Sequence, residues 1–117
     1  MFNVKEISAG ELAEQLETKR AKLRLIDTRT PAETSQGIIP GAELIPMHLR
    51  PLHVAHWHNE KRTIVVYCHT GLRSAQLCAY LAARGDAPDV VNLRGGIMDW
   101  ARAGQALGLP SQAMVRG

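Results

Sequence analysis

The segment Cys68-His69-Thr70-Gly71-Leu72-Arg73-Ser74 follows directly on the apolar, β-branched run Thr63-Ile64-Val65-Val66-Tyr67. A thiol at that point ends a strand and faces the start of a helix, where backbone N–H groups and the positive end of the helix dipole converge. Such a site favours the thiolate form of a cysteine, which is the nucleophile. Four residues separate Cys68 from Arg73, few enough for the loop to curl round the sulfur as a cradle of amides. Gly71 supplies any positive φ that the curl needs, and the cradle suits an anion. Ser74 is placed to cap the helix, and Arg73 adds an always-charged planar fork. A cysteine ending an apolar strand can equally be a small core residue. A core cysteine, however, has no need of a Gly and an Arg-Ser pair timed to a helix start.

The elements that position this loop alternate along the chain. Ser8-Ala9-Gly10-Glu11 is a capping-box pattern, with Ile7 and Leu12 spaced as a hydrophobic staple, and predicts a first helix to about residue 20. Leu23 to Asp27 reads as a short strand. Thr30-Pro31-Ala32-Glu33 is a second capping box with Pro at the favoured first position, and Gly37 should stop that helix. Arg29 and Glu33 stand four apart and are expected to pair. Ile38 to Ala42 is a turn leading to a strand at Glu43-Leu44-Ile45. Thr63 to Tyr67 is apolar on both alternating faces, the mark of a central parallel strand covered on each side. Its helix is expected from Ser74 to about Arg84, with Leu77, Cys78, Leu81 and Ala82 as the buried stripe and Gly85 as the stop. Asp89 to Leu93 is a last strand, Gly95-Gly96 a tight turn and Ile97 to Ala103 a short helix; the tail from Gln105 shows no period and is expected to be loosely ordered.

Helices spaced between strands in this way imply an α/β domain with a mainly parallel sheet and helices on both faces, its ligand site beyond the carboxyl ends of the strands. The Cys68 loop, the Asp27-to-Arg29 segment and Arg94-Gly95-Gly96 all follow strand ends and should share one rim. Arg29, Arg73 and Arg94 would then surround the thiol with positive charge.

The 117 residues are the length of one domain able to bury its own core, and 45% of them are hydrophobic. No apolar run approaches the ~20 residues of a membrane span. Met1 to Glu6 lacks the apolar stretch of a signal peptide, so a cytoplasmic location is expected. The net charge of +3 suits a small anionic substrate, while the absence of a basic run interleaved with aromatics argues against nucleic acid. Lys19-Arg20-Ala21-Lys22-Leu23-Arg24 reads as a solvated helix end. Cys68 and Cys78, on the order of 10–15 Å apart if the chain between them is helical, are not expected to form a disulfide. His53, His56 and His58 lack companion ligands at metal-site spacing, and no metal is expected in the His48-to-His58 segment, read as an exposed helical connection.

The Cys68-to-Ser74 loop resembles the active-site loop of the rhodanese sulfurtransferases, in which four residues separate a nucleophilic Cys from an Arg. Leu25-Ile26-Asp27-Thr28-Arg29 with Glu33, Gly37-Ile38-Ile39-Pro40-Gly41-Ala42, and Asn92-Leu93-Arg94-Gly95-Gly96-Ile97-Met98-Asp99-Trp100 resemble that family's other recurrent segments, in the same order. Ile38 departs from the His that often precedes Ile-Pro-Gly-Ala. The resemblance covers nearly the whole chain and implies a single rhodanese-like domain over residues 1–117, a five-stranded, mainly parallel sheet with helices on both faces.

It also implies a chemistry. Cys68 would be the catalytic nucleophile, His69, Thr70, Gly71, Leu72, Arg73 and Ser74 would bind substrate, and Asp27 and Arg29 would support the site. The thiolate would attack the outer sulfur of a donor such as thiosulfate, release sulfite, and keep a persulfide that passes to cyanide, a thiol or a sulfur-relay protein. No cofactor is implied. Three alternatives remain beside it. One is a persulfide carrier or protein-interaction module without turnover. Another is a Cys-dependent phosphatase, whose related loop carries one more residue to fit a tetrahedral phosphate. The third, a thiol redox enzyme, would need a resolving cysteine that the buried Cys78 does not offer.

Overall fold

The central strand runs from Thr63–Tyr67 and places Ile64, Val65, Val66 and Tyr67 in the interior. The computed structural model describes residues 4–46, 57–84 and 89–114. Its elements are β1 (Glu6–Ile7), α1 (Ala9–Thr18), β2 (Leu23–Asp27), α2 (Pro31–Thr34), β3 (Glu43–Leu44), β4 (Thr63–Tyr67), α3 (Leu72–Arg84), β5 (Val90–Leu93) and α4 (Gly96–Arg102). The strands form one parallel sheet in the order β1-β5-β4-β2-β3. β4 pairs with β2 on one side, Leu25 opposite Val65, and with β5 on the other, Val65 opposite Val91.

Strand alternation divides the interior in two. Leu25, Val65, Tyr67 and Leu93 pack with Leu12 and Leu16 of α1 and with Ile97 and Trp100 of α4. Ile26, Ile64 and Val66 point to the other face and pack with Leu77, Cys78 and Leu81 of α3 and with Trp57. The five-stranded parallel sheet with helices is the expected architecture. Both capping boxes form, Ser8 with Glu11 and Thr30 with Glu33.

Several local readings change. The two-residue β1 was read only as the staple before α1; it takes its hydrogen bonds from β5, with Arg94 N–H donating to the Ile7 carbonyl at 2.9 Å. Arg24 is not a solvated helix-end charge. It lies buried on β2, where Nε and Nη2 donate to Glu43 at 2.7 and 3.0 Å, and its guanidinium is 5.7 Å from the Trp57 ring centroid. α3 begins at Leu72, two residues before the expected Ser74 cap.

The tail from Gln105 is not loose as far as Met114. Ile38 and Gly108 exchange two backbone hydrogen bonds of 2.9 and 2.8 Å, Gly41 N–H donates to Gln112, and Met114 N–H donates to Ala42. Those long-range pairings stand in for the periodicity the tail lacks. Ile38, at the position where the family often has His, is fully buried there. Gly85 and most of the His48-to-His58 segment lie outside the described residues; Trp57–Asn59 forms a 3₁₀ turn with Trp57 buried.

Candidate active site

Cys68 follows β4 at the carboxyl edge of the sheet and is 1% exposed. Its Sγ accepts from the Gly71 N–H at 3.1 Å and from the Ser74 N–H at 3.5 Å, and the Ser74 hydroxyl lies 3.4 Å away, its proton directed to Asn92 Oδ1. Ser74 is the third residue of α3, so the sulfur occupies the place of an N-cap acceptor and satisfies an otherwise orphan helix amide. That is why α3 needs no serine cap, and why it starts at Leu72.

The loop closes on the turn before α4. Gly71 has φ +96°, and a Cβ there would lie 3.1 Å from Gly95 N and 3.2 Å from the Leu93 carbonyl. The Cys68 carbonyl accepts from Ile97 N–H at 3.0 Å and the His69 carbonyl from Met98 N–H at 3.1 Å. Gly96, at φ +59°, makes this clamp possible, because a Cβ there would stand 2.5 Å from both carbonyl oxygens. The first turn of one helix thus holds the chain while the first turn of another holds the sulfur.

A buried polar chain lies beneath the loop. The Ser74 hydroxyl is 2.6 Å from Asn92 Oδ1, and Asn92 Nδ2 donates to the Gly71 carbonyl and to Glu6, both at 3.1 Å. Asn92 was not among the expected site residues. Its signal was present, a single amide within the otherwise apolar Val90-Val91-Asn92-Leu93.

Charges at the rim are arranged differently from the expected positive ring. Arg73 Nη1 and Nη2 donate to the two Glu33 carboxylate oxygens at 3.0 and 2.7 Å, a bidentate pair with both side chains about one-third exposed. The Arg73 hydrogen bonds hold the Glu33 carboxyl down at about 2. Glu33 in turn raises Arg73, with the nearby Cys68 contributing less. The expected side-chain pairing of Arg29 with Glu33 therefore does not form.

Arg29 is instead 5% exposed, with Nη2 donating to Asp27 at 2.8 Å and to the Gly37 carbonyl at 2.6 Å. Burial pulls its guanidinium down, and the Asp27 hydrogen bonds and charge outweigh that to raise it. Its Cζ lies 5.8 Å from the Tyr67 ring centroid. The Tyr67 hydroxyl accepts from Ile39 N–H at 3.0 Å, and burial, with Asp27 next, raises its pKa. Asp27 and Arg29 thus brace the floor between β2 and β4, and Arg94 is exposed.

Of the loop residues expected to touch substrate, Gly71 and Ser74 meet the sulfur. Arg73 is beside it but engaged by Glu33. His69, Thr70 and Leu72 are exposed, Leu72 by 61%. Beside His69 opens a cleft of about 430 Å³ between the segment after β2 and α4. No cluster of three or more metal-ligating side chains occurs among the described residues.

The arrangement presents one sulfur to converging donors, which is the geometry for holding a negatively charged sulfur atom. A sulfurtransferase of Allochromatium vinosum is 45% identical over 107 residues, covering 92% of this chain and 97% of that protein. A rhodanese-like domain protein of Staphylococcus aureus superposes with a TM-score of 0.73 at 36% identity, covering 90% of this chain and 97% of that one. A thiosulfate sulfurtransferase of Pseudomonas aeruginosa gives a TM-score of 0.75 at 25% identity, covering 96% of this chain and 21% of that one. The rhodanese-like domain model matches residues 8–103, which include every group described around Cys68 except Glu6, and the chain belongs to that family.

Proposed function

We propose that this protein is a cytoplasmic sulfurtransferase that carries sulfane sulfur as a persulfide on Cys68. The observation that supports this most directly is the convergence of the Gly71 and Ser74 amides on one sulfur atom at a helix N-terminus. In the first half-reaction the Cys68 thiolate attacks the outer sulfur of a donor, for which thiosulfate is the simplest, and sulfite leaves with the electron pair of the broken S–S bond. The loop amides then hold the terminal sulfur of the persulfide. In the second half-reaction a thiophile, cyanide or a thiol, attacks that sulfur and Cys68 returns as thiolate. Atoms and electrons balance with no cofactor, and the two-step scheme requires ping-pong kinetics.

The test is intact mass after incubation with thiosulfate. A gain of one sulfur, removed by a reductant and absent in Cys68→Ser, supports the reading, as does thiocyanate formation with cyanide. Phosphate release from an aryl phosphate without sulfur loading would replace it with the phosphatase reading. A second reading, a carrier loaded by a sulfur-relay protein, draws on Leu72, which stands 61% exposed on the loop where a docking partner would meet it. Loading only from a protein persulfide would favour that reading.

A further inference from the structure

Gly71 gives the sulfur its shortest hydrogen bond, yet at φ +96° it has no side chain of its own to hold that conformation. The restraint comes from beneath. While the Gly71 N–H faces Sγ, its carbonyl, on the other peptide plane, accepts from Asn92 Nδ2 at 3.1 Å. Asn92 is 1% exposed and its hydrogen-bonding capacity is fully directed. The two amide protons go to the Gly71 carbonyl and to Glu6 Oε2, groups that only accept, so Oδ1 is left to accept the Ser74 hydroxyl proton at 2.6 Å. One amide thus grips both residues whose N–H groups meet Sγ. Its outer anchor is Glu6, which stands directly opposite Asn92 in the register of β1 on β5. Glu6 is exposed, sits on the edge strand, and precedes residue 8, where the family match begins.

We infer that Asn92 and Glu6 are positioning residues for the chemistry of Cys68. Glu6 pins the Asn92 amide from the edge of the sheet, and Asn92 fixes the Gly71 carbonyl and the Ser74 hydroxyl, which aligns the two amides on the sulfur. Neither residue touches the reacting atom or exchanges a proton with it. The inference rests on the reading of Cys68 as the nucleophile and adds the part of the fold that keeps its cradle in shape. It makes a surface carboxylate on a two-residue strand matter to a buried thiol, which a purely local site at the Cys68 loop would not.

The experiment measures two rates at Cys68 by mass spectrometry, sulfur loading over a range of thiosulfate concentrations and alkylation by iodoacetamide, in wild type and four variants, each with a melting curve. Glu6→Ala should lower the maximal loading rate by about fivefold and slow alkylation in parallel, with the half-saturating thiosulfate concentration little changed, because alignment and not donor binding is lost. Glu6→Gln keeps an acceptor for the Asn92 amide and should be at least about threefold faster than Glu6→Ala. Asn92→Asp sets a carboxylate against Glu6 and the Gly71 carbonyl and should cost at least about thirtyfold. Lys5→Ala, which breaks the adjacent surface ion pair with Asp89, should leave both rates as they are. A Glu6→Ala variant that loads and alkylates like wild type overturns the inference. So do equal rates in Glu6→Ala and Glu6→Gln, a slowing shared by Lys5→Ala, or a folded Asn92→Asp as fast as wild type. A wild type that is alkylated at Cys68 but gains no sulfur overturns the persulfide reading alone, and the alkylation rates then decide the positioning role.

Discussion

The two cysteines are equally hidden, 1% exposed for Cys68 and 3% for Cys78, both are free, and they lie only ten positions apart. Their surroundings differ completely. Cys68 follows a strand and receives two amides, with a hydroxyl 3.4 Å away. Cys78 sits in the middle of α3 among Ile26, Ile64, Val66 and Leu81, and burial, with the charge of Glu6 next, pushes its thiol up to about 12. Burial alone thus says nothing about reactivity. What separates a nucleophile from a filler is whether the groups that replace water can hydrogen-bond an anion.

The sharpest way to break the comparison is to exchange the roles. Cys68→Ser is expected to abolish sulfur loading, while Cys78→Ala should load within about twofold of wild type; intact-mass time courses check both. Equal loss in the two variants would erase the distinction. Next in size is Gly96→Ala, whose Cβ would strike the Cys68 and His69 carbonyls. It should cost about 2–3 kcal/mol in thermal unfolding and slow loading, since the clamp on the Cys68 loop is lost.

Ser74→Ala sharpens the contrast by removing the hydroxyl that ties Asn92 to the sulfur loop, 3.4 Å from Sγ, without altering the helix amide. Loading should fall by roughly tenfold as the cradle loses this brace, with thiosulfate and cyanide kinetics as the readout. The smallest effect concerns Cys78. An unfolded thiol ionises near its ordinary value of 9.0 while the folded one is held to about 12. The resulting stability is fully present below the lower value and is lost as pH rises between the two. Chemical denaturation of Cys78→Ala should therefore show a shallower decline than wild type across that alkaline window; parallel declines would refute the assignment.

Why some of this was legible in the sequence and some was not comes down to the range of the interactions. β4 was legible because it is apolar in both phases, and the Cys68 loop because a thiol, a glycine and an arginine coincide at a helix start. The capping boxes at Ser8 and Thr30 are local and formed as expected. Arg29 and Glu33 show the limit. The four-residue spacing suggested a pair, but Asp27 is nearer to Arg29, and Glu33 turns to an arginine 40 positions away. A weak helix-surface attraction lost to two better partners, one of them invisible to any local pattern. Ser74 failed as a cap for a related reason, since the acceptor that ends α3 is the sulfur itself. β1 is too short to carry a period, and the segment from Gln105 is ordered by bridges to Ile38, Gly41 and Ala42 that no composition announces.

The division of the interior by the sheet has an optical consequence. The chain has two tryptophans, and they fall on opposite faces, Trp57 with Ile64 and Leu77, Trp100 with Leu12 and Tyr67. The Trp100 indole N–H donates to the Ala106 carbonyl at 2.8 Å, so its emission reports the α1 and α4 layer together with the chain beyond α4. Trp57 reports the α3 layer. Two single-tryptophan variants, Trp57→Phe and Trp100→Phe, would turn each half of the core into its own fluorophore. Coincident melting of the two signals would mean that β4 transmits unfolding from one layer to the other as a single cooperative event.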